Sequence, residues 1–360
     1  MDRRTTIIAE AGVNHNGDRA RALALVEAAA RAGADVVKFQ SFRADKLATA
    51  GAAKASYQKV TTGGEQSQLE MLRALELSED DERRIAKASA TAGIAYMSTP
   101  FDAESANHLV RNIGVTTLKV GSGDLTNAPL LLDLARFRLP IILSTGMATL
   151  AEVEQALGVI AFGYLREATA RPAATDFARM LLDRASWTEL NGKVTLLHCT
   201  TEYPATPDSI NLRAMATLRS AFGLPVGFSD HSRGIHVAAA AVALGAVVIE
   251  KHLTLDRSLP GPDHRASIEP DEMAAMVVSI RDVELALGDG RKVPAADEIA
   301  NRRVARRSLV ATRAVRSGEP FSEANLGVKR PGDGISPVEY WTYLGKKADR
   351  DYAANEALEP

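Results

Sequence analysis

Cysteine is almost absent from this sequence: Cys199 is the only one in 360 residues. An intramolecular disulfide is therefore excluded, and we expect a reducing, cytoplasmic compartment. The formal net charge is only -2, so no electrostatic argument favours nucleic acid or an anionic membrane as a partner. No apolar run is long enough for a signal peptide or a membrane-spanning helix. The remaining composition, 46% apolar and 24% charged, is that of an ordinary globular enzyme.

Short segments of β-branched and apolar residues alternate with helical stretches along most of the chain. This alternation is typical of a parallel sheet covered by helices. The predicted strands are Thr6–Ala11, Asp35–Gln40, Ile94–Ser98, Thr116–Gly121, Pro140–Thr145, Val194–Cys199, Pro225–Ser229 and Ala246–Glu250. Eight strand and helix repeats predict an α/β fold of the TIM (β/α)8 barrel type. A doubly wound open sheet is the alternative, but its glycine-rich dinucleotide fingerprint is missing after the first strand.

Two connections between these repeats are longer than usual. The segment from Ser41 to Leu77 follows the second strand, at the functional face of a barrel, and we expect it to form a lid. The segment from Leu165 to Gly192 should lie on the opposite face. Turn-forming residues after Leu287 mark a domain boundary. The predicted domains are a barrel over residues 1–288, a linker over 289–307 and a small, mostly β domain over 308–360.

Two neighbouring strands each end in a polar cluster that contains a histidine, His231 and His252. A strand, helix, strand unit normally gives parallel neighbours, so both strands should end at the same edge of the sheet. Two imidazoles there suit a divalent transition metal that keeps open positions for substrate and water. The alternative is that each histidine only hydrogen-bonds within its own loop.

Polar and ionisable residues gather at the predicted carboxyl ends of all eight strands, where barrel enzymes build their active sites. Lysines combined with hydroxyl groups predict a pocket for an anionic, phosphorylated ligand. A metal beside this anion could polarise a carbonyl, and Glu10 and Asp124 are candidates for proton transfer. The strand-end residues are Glu10, Lys38, Gln40, Ser98, Thr99, Lys119, Ser122, Asp124, Ser144, Thr145, His198, Thr200, Thr201, Tyr203, Ser229, Asp230, His231, Glu250, Lys251 and His252.

Eight short motifs, in order along the chain, resemble the sialic acid synthase family. They are Ile8–Gly17, Val37–Gln40, Ser98–Phe101, Lys119–Asp124, Ser144–Met147, His198–Pro204, Ser229–His231 and Pro260–Asp263. The tail Val328–Ile335 resembles the antifreeze-protein-like (SAF) domain found at the C-terminus of that family. The resemblance covers nearly the whole chain.

The resemblance implies that phosphoenolpyruvate condenses with an N-acylated mannosamine-type sugar to give a nine-carbon 2-keto sugar acid and phosphate. It implies Mn²⁺ or Mg²⁺ at His231 and His252, and a domain-swapped homodimer in which Arg330 reaches the sugar's N-acyl group in the partner subunit. It also implies a phosphate site made of Lys119, Thr99, Ser122, Ser144 and Ser229, with Lys38 near the carboxylate. Sugar-binding and acid/base positions are implied for Glu10, Gln40, Tyr203 and Asp263.

Two positions depart from the family pattern. Asp124 stands where members often carry glutamate, one methylene longer, which weakens the case for its proton-transfer role. Thr201, a substrate-binding candidate, stands where sialic-acid-making members can have asparagine. This change is compatible with an alternative substrate, the 2,4-diacetamido-2,4,6-trideoxymannose from which N,N'-diacetyllegionaminate is made.

Two other classes of function remain open. A Schiff-base aldolase would use Lys119 or Lys38 as a nucleophile on the same barrel. A non-enzymatic protein would use the C-terminal domain to bind ice or carbohydrate beside an inert barrel, but that hypothesis leaves the strand-end clusters unexplained.

Overall fold

The computed structural model describes residues 4–63 and 65–359, so that Met1 to Arg3, Gly64 and Pro360 lie outside the described residues. The chain divides into two compact units, Met1–Gly288 and Asp289–Pro360. Within the described ranges, no helix combines the length and the apolar character needed to cross a lipid bilayer.

The first unit is built on eight parallel strands. They are β1 Thr6–Gly12, β2 Val36–Ser41, β3 Ala95–Pro100, β4 Leu118–Val120, β5 Ile141–Ser144, β6 Val194–Cys199, β7 Val226–Asp230 and β8 Val248–His252. The first strand pairs with the last, and the order of hydrogen-bonded neighbours is β3-β2-β1-β8-β7-β6-β5-β4. The strands β3 and β4 lie side by side at the seam. The predicted TIM-type barrel is confirmed, and the β1 and β8 pairing excludes an open doubly wound sheet.

Helices surround this barrel, and several begin at residues that cap their free N–H groups. Asp18 accepts hydrogen bonds from Ala20 and Arg21, and Thr149 forms a reciprocal capping box with Glu152. The helices are α1 Arg19–Arg31, α2 Ala44–Leu47, α3 Ser56–Thr62, α4 Gln68–Arg73, α5 Glu79–Thr91, α6 Ala103–His108, α7 Ala128–Arg136, α8 Leu150–Leu165, α9 Ala174–Met180, α10 Arg184–Lys193, α11 Pro207–Ile210, α12 Ala214–Phe222, α13 His236–Ala243 and α14 Pro270–Leu287.

The strand boundaries differ from the predicted ones at two places that matter for function. The fourth strand is only Leu118–Val120, because its pairing with β5 covers three residues. The eighth strand begins two residues later than predicted and ends at His252, because its ladder with β1 continues until Glu10 faces His252. His252 is therefore a strand residue with a fixed direction, rather than a loop residue.

Alternation along the strands separates the barrel interior from its outer face. An apolar interior cluster holds side chains from six strands: Ile8, Val36, Met97, Ile142, Leu197 and Val248. Two residues further along several of these strands, the same inward direction is taken by polar side chains, such as Glu10, Lys38 and Glu250. The apolar cluster thus forms the floor beneath a polar layer at the carboxyl ends of the strands.

The two long connections contain short helices that the sequence analysis did not predict. The segment after β2 holds α2, α3 and α4, and residues of α3 and α4 line the cavity at the carboxyl ends of the strands. The segment before β6 holds α9 and α10, and none of their residues is among those that line this cavity. Only the first connection is placed to act on a ligand.

The second unit contains a helix, α15 Ala296–Ala305, within the predicted linker. Its two-stranded antiparallel sheet is made of β9 Ser308–Ala311 and β10 Leu326–Lys329. Single bridges, including Val315 with Tyr352, extend the pairing beyond these strands. A short helix, α16 Tyr340–Tyr343, lies near the end of the chain. The core of this unit is a separate apolar cluster that includes Leu309, Phe321 and Leu358.

Candidate active site

A cavity of about 200 Å³ opens at the carboxyl ends of the barrel strands. The lining residues come from all eight strands or the loops that directly follow them, and from α3 and α4. Those predicted from the sequence as site residues are Glu10, Lys38, Gln40, Thr99, Lys119, Ser122, Ser144, Thr201, Tyr203, Ser229, His231, His252 and Asp263. The structure therefore brings together thirteen side chains that are spread over more than 250 positions of sequence.

The centre of the cavity is a buried group of two lysines and two glutamates. Lys38 Nζ lies 2.7 Å from Glu10 Oε2 and 3.6 Å from Glu250 Oε2. Lys119 Nζ lies 3.6 Å from Glu250 Oε1. Glu250 thus bridges the two lysines, which holds two positive charges close together where water is largely excluded.

Burial and mutual attraction shift the pKa values within this group. Burial raises the pKa of Glu10, Lys38 partly opposes the rise, and Glu250 adds to it. For Glu250, the attraction of Lys119 and Lys38 outweighs burial and holds the pKa well below its ordinary value. Of the two carboxyl groups, Glu10 is the one better suited to hold a proton, because burial raises its pKa while that of Glu250 is lowered.

The pKa values of the two lysines are also shifted in opposite directions. Burial alone lowers the pKa of a lysine, but Glu10 and Glu250 outweigh it for Lys38, whose pKa lies above its ordinary value. For Lys119, burial dominates and the pKa is lowered, although Glu250 opposes the change. Lys38 is therefore the firmly charged member of the pair.

Hydroxyl groups surround the lysines. Lys38 Nζ donates to Thr99 Oγ1 at 3.0 Å, and Lys119 Nζ donates to Ser144 Oγ at 2.8 Å. Ser229 Oγ donates to Glu250 Oε1 at 3.0 Å. Such a set of ammonium and hydroxyl donors is suited to the oxygens of a phosphate or carboxylate.

Ser122 and Thr201 line the side of the cavity near Gly146. The backbone N–H of Gly146 donates to Ser122 Oγ at 2.9 Å, and Ser122 Oγ lies 3.1 Å from Cys199 Sγ. Thr201 Oγ1 is buried and has no hydrogen-bond partner among the described residues. A Cβ atom on Gly146 would lie 2.4 Å from Thr201 Oγ1 and 2.8 Å from Ser122 Oγ, so glycine is needed for this close packing.

The two histidines meet as their spacing predicted. The ring centroids of His231 and His252 are 5.4 Å apart, and both side chains are buried. His231 Nδ1 is bonded to the carbonyl oxygen of Thr200 at 2.6 Å, which assigns the proton to Nδ1 and leaves Nε2 with its lone pair. His252 Nδ1 is buried without a partner among the described residues.

These features fit a divalent metal at the histidine pair. Burial lowers the pKa of His231 to about 4, and burial together with His231 places the pKa of His252 well below its ordinary value. Both rings are therefore neutral near pH 7, which is the form that binds metals. In the part of the chain that the structure describes, no cluster of three or more His, Cys, Asp or Glu side chains is arranged as a metal site, so further ligands would come from substrate or water.

Tyr203 and Asp263 stand next to this pair. The Tyr203 ring packs 4.2 Å from His231 and 5.5 Å from His252, measured between centroids. Asp263 is buried, and burial raises its pKa to about 7. Gln40 Nε2 donates to Glu10 Oε1 at 3.3 Å, which links the sugar and acid/base candidates to the central group.

Asp124 is the predicted site residue of the first unit that does not line the cavity. Asp124 lies on a 3-10 turn, Ser122–Asp124, and accepts a hydrogen bond from Asn127 Nδ2 at 3.0 Å. Its short side chain is thus held toward the start of α7. Arg330 is exposed in the second unit, directly after β10. Their proposed roles in proton transfer and N-acyl recognition stay predictions.

Four strand-end residues named in the sequence analysis face away from the cavity because of the two-residue alternation. Ser98 bonds to Ser41, and His198 Nε2 lies 2.6 Å from the carbonyl oxygen of Ile210. Asp230 and Lys251 form a fully buried ion pair at 3.0 Å on the outer side of the strands. These residues support the barrel rather than the ligand.

Sequence reasoning missed three features of the site. Glu250 was noted at a strand end but was not placed at the centre, although its position two residues before His252 puts both on the same face. Tyr57 and Gln58 of α3 lie in a segment without hydrophobic periodicity. An apolar wall also lines the cavity, and its residues are Val13, Met71, Leu72, Leu75 and Phe101.

Comparison with known proteins gives matches along the whole chain. The NeuB family profile matches residues 25–292, and the SAF domain profile matches residues 306–360. The chain is 45% identical over 356 residues to a Campylobacter jejuni protein described as N,N'-diacetyllegionaminic acid synthase, with 99% of each chain covered. A Legionella pneumophila protein of the same description is 44% identical over 352 residues, covering 98% of this chain and 92% of the relative.

A solved structure agrees with the fold. The crystal structure of N-acetylneuraminic acid (sialic acid) synthetase from Leptospira borgpetersenii, in complex with citrate, superposes with a TM-score of 0.65 at 32% identity. The match covers 82% of this chain and 90% of that one.

Proposed function

The chain belongs to the NeuB family and carries a C-terminal SAF domain, and on that premise we propose that it makes N,N'-diacetyllegionaminate from phosphoenolpyruvate and 2,4-diacetamido-2,4,6-trideoxymannose. It is an enzyme of the nonulosonic acid synthase type, like its relatives. The observation that carries the choice of product is the 45% identity to a diacetyllegionaminic acid synthase, which extends over 99% of both chains.

This choice revises the first expectation from the sequence. The resemblance alone favoured an N-acylated mannosamine and a sialic acid product, with the diacetamido sugar as the alternative. The relatives named for diacetyllegionaminic acid favour the alternative. The change at Thr201, noted from the sequence, is compatible with it.

The composition of the cavity wall supports a deoxygenated sugar. Val13, Met71, Leu72, Leu75 and Phe101 present an apolar surface, which suits the methyl group at C6 and the methyl groups of acetamido substituents better than a hydroxymethyl group. Among the described cavity residues, the lysine and arginine side chains are limited to Lys38 and Lys119. A sugar 6-phosphate would compete with phosphoenolpyruvate for these same charges.

Phosphoenolpyruvate is the ligand that the central group is suited to bind. Lys119, Ser144, Thr99, Ser122 and Ser229 can contact its phosphate, and Lys38 its carboxylate. On binding, the substrate oxygens would take over the contact that Glu10 makes with Lys38, while Glu250 would stay beside both lysines. Glu250 would then serve to keep both lysines aligned and protonated.

The reaction forms one carbon–carbon bond, and at C2 it replaces the carbon–oxygen bond to phosphate by one to the oxygen of water. C3 of the enol attacks the aldehyde carbon of the open-chain sugar, water adds to C2, and the resulting tetrahedral centre expels phosphate. The water loses both of its protons as it becomes the C2 keto oxygen: one proton goes to the sugar oxygen and the other to the departing phosphate. Glu10 is suited to exchange these protons, because burial raises its pKa and it lies beside Lys38. Asp263, with a pKa of about 7, is suited to a second exchange.

A divalent metal, Mn²⁺ or Mg²⁺, is the cofactor that we propose for this site. His231 and His252 would hold it, as two neutral buried imidazoles, of which His252 has a nitrogen, Nδ1, that finds no partner in the described part of the chain. When bound, the ion would polarise the sugar aldehyde. Its charge would also add to that of the two lysines, opposite the negative charges of phosphoenolpyruvate.

The second unit has a proposed role in the same reaction. We place Arg330 at the N-acyl group of a sugar bound in a partner subunit, within a domain-swapped homodimer. The exposure of Arg330 after β10 leaves its guanidinium free to reach another surface.

Phosphate release distinguishes the candidate sugars. The purified protein, with phosphoenolpyruvate and Mn²⁺, is assayed with 2,4-diacetamido-2,4,6-trideoxymannose, N-acetylmannosamine and N-acetylmannosamine 6-phosphate. The proposal expects the highest kcat/KM with the diacetamido sugar, by at least about 10-fold. A higher kcat/KM with either mannosamine would reject the product named above.

One observation favours a second function, a Schiff-base aldolase. The lowered pKa of Lys119 is a property of lysines that form imines with carbonyl substrates. Its contacts oppose this role, since Ser144 and Glu250 both stabilise the charged ammonium. Borohydride in the presence of pyruvate should trap an adduct on an aldolase and leave a synthase unmodified.

A further inference from the structure

An aromatic stack leads away from the histidine pair along the wall of the cavity. The ring of Tyr203 packs 4.2 Å from that of His231, with 30° between the planes. The ring of Tyr57, on α3, packs against Tyr203 in turn, with 5.0 Å between the ring centroids and 33° between the planes. All three side chains line the same cavity. Tyr57 therefore occupies the layer beyond the one that Tyr203 forms over the histidines.

The hydroxyl group of Tyr57 carries a hydrogen that it can donate to a ligand. It accepts a hydrogen bond from Gln58 Nε2 at 3.4 Å, while its own hydrogen has no acceptor among the described residues. Burial raises the pKa of Tyr57, so that the hydroxyl keeps its proton at neutral pH. Gln58 is itself held in place, because its Oε1 accepts from the backbone N–H of Ala55 at 3.0 Å. A half-buried tyrosine with a spare donor is well suited to recognise a carbonyl oxygen.

Contacts at the C-terminal end of α3 hold this helix at the cavity. Lys54 Nζ donates to Thr62 Oγ1 at 3.0 Å and to the carbonyl oxygen of Gly63 at 3.1 Å. Thr61 Oγ1 lies 3.4 Å from the carbonyl oxygen of Pro262, and 3.2 and 3.3 Å from those of Tyr57 and Gln58, so α3 contacts the loop that carries Asp263. The tyrosine is thus part of a docked helix rather than of a free loop.

We propose that Tyr57 determines the acceptor sugar by donating a hydrogen bond to the carbonyl oxygen of its 4-acetamido group. The inference rests on the proposed function, which puts the aldehyde carbon at the histidine pair. The rest of the open-chain sugar then extends outward along Tyr203 toward Tyr57. An acetamido carbonyl at C4 projects farther from the sugar chain than a hydroxyl group does. Only the acetamido sugar would reach the Tyr57 donor.

The test is the Tyr57→Phe variant, which removes the donor and keeps the ring. We expect its KM for 2,4-diacetamido-2,4,6-trideoxymannose to rise about 10-fold, the usual effect of losing one such hydrogen bond. The KM for phosphoenolpyruvate should stay within about twofold. The analogue 2-acetamido-2,6-dideoxymannose, with a hydroxyl at C4, should also keep its KM, or its Ki if it is not turned over, within about twofold.

Tyr164→Phe is the matched control. Its hydroxyl donates to the carbonyl oxygen of Leu139 at 2.8 Å, away from the cavity, so all three constants should stay within about twofold. An unchanged KM for the diacetamido sugar in Tyr57→Phe, or an equal rise for both sugars, would overturn the assignment. If the unmodified protein released no phosphate with any sugar, the proposed function itself would fail, and the assignment with it.

Discussion

Replacing Lys251 with methionine should lower the free energy of unfolding of the barrel by about 3 to 5 kcal/mol. Lys251 Nζ lies 3.0 Å from Asp230 Oδ2, and both side chains are 0% exposed. At an effective dielectric constant of about 20, two unit charges at this distance attract by about 5 kcal/mol. Methionine fills the space but leaves the Asp230 charge buried; among the described residues, the hydrogen bonds that remain to its carboxylate come from Ser232, at 2.8 and 2.6 Å.

Urea unfolding, followed by tryptophan fluorescence, measures this loss. The chain has two tryptophans, Trp187 in the barrel and Trp341 in the second unit, so a Trp341→Phe background makes the signal specific to the barrel. The matched control is Arg73→Met. Arg73 Nη2 and Asp45 Oδ1 are 2.5 Å apart, but their side chains are 56% and 69% exposed, and we expect a change below about 1 kcal/mol.

A double variant separates the buried charge from simple loss of packing. Asp230→Leu combined with Lys251→Met removes both charges and should recover most of the lost stability. A loss below about 1 kcal/mol in Lys251→Met, or an equal loss in Arg73→Met, would refute the view that this pair stabilises the β7 and β8 edge through its burial.

Three further predictions concern pH, the metal and the second unit. Burial raises the pKa of Glu82 to about 7, so its contribution to stability is present at low pH and is lost as the pH rises from about 4.5 to 7. The urea midpoint of Glu82→Gln should therefore change less with pH in that window than the midpoint of the unmodified protein. His252→Ala should lower kcat at least about 100-fold with an unchanged circular dichroism spectrum, and activity that survives chelation would reject the metal. Arg330→Ala should raise the KM for the sugar at least about 10-fold and that for phosphoenolpyruvate less than twofold, and equal effects on both would reject its placement.

The sequence predicted most of the barrel because its strands are short, apolar and separated by glycine-capped helices. It could not predict where pairing ends. Whether His252 belongs to β8 depends on the ladder with β1, where His252 pairs with Glu10, a residue far away in the sequence. Similarly, β4 is shorter than its composition suggests, since only Leu118–Val120 find partners on β5. Register between distant segments is a tertiary property.

The site was predicted where side chains follow strands and missed where a connection folds over them. Lys38 and Glu250 are fixed by alternation along β2 and β8, which a sequence can reveal. Tyr57 reaches the cavity only because α3 docks on Tyr203, and nothing in the local pattern indicates that contact. Asp124 has the expected position in its motif, but its contact with Asn127 and its place outside the cavity lining depend on the turn that follows β4, which the motif does not reveal.

The most direct measurement is the identity of the product formed from phosphoenolpyruvate labelled with ¹³C at C3. The protein is incubated with this substrate, Mn²⁺ and 2,4-diacetamido-2,4,6-trideoxymannose, and carbon NMR is recorded together with the phosphate released. The proposed function predicts that the label appears in a methylene carbon bonded to the former aldehyde carbon, with one phosphate per bond formed. Label that remains in phosphoenolpyruvate, or that is recovered as free pyruvate, would contradict it.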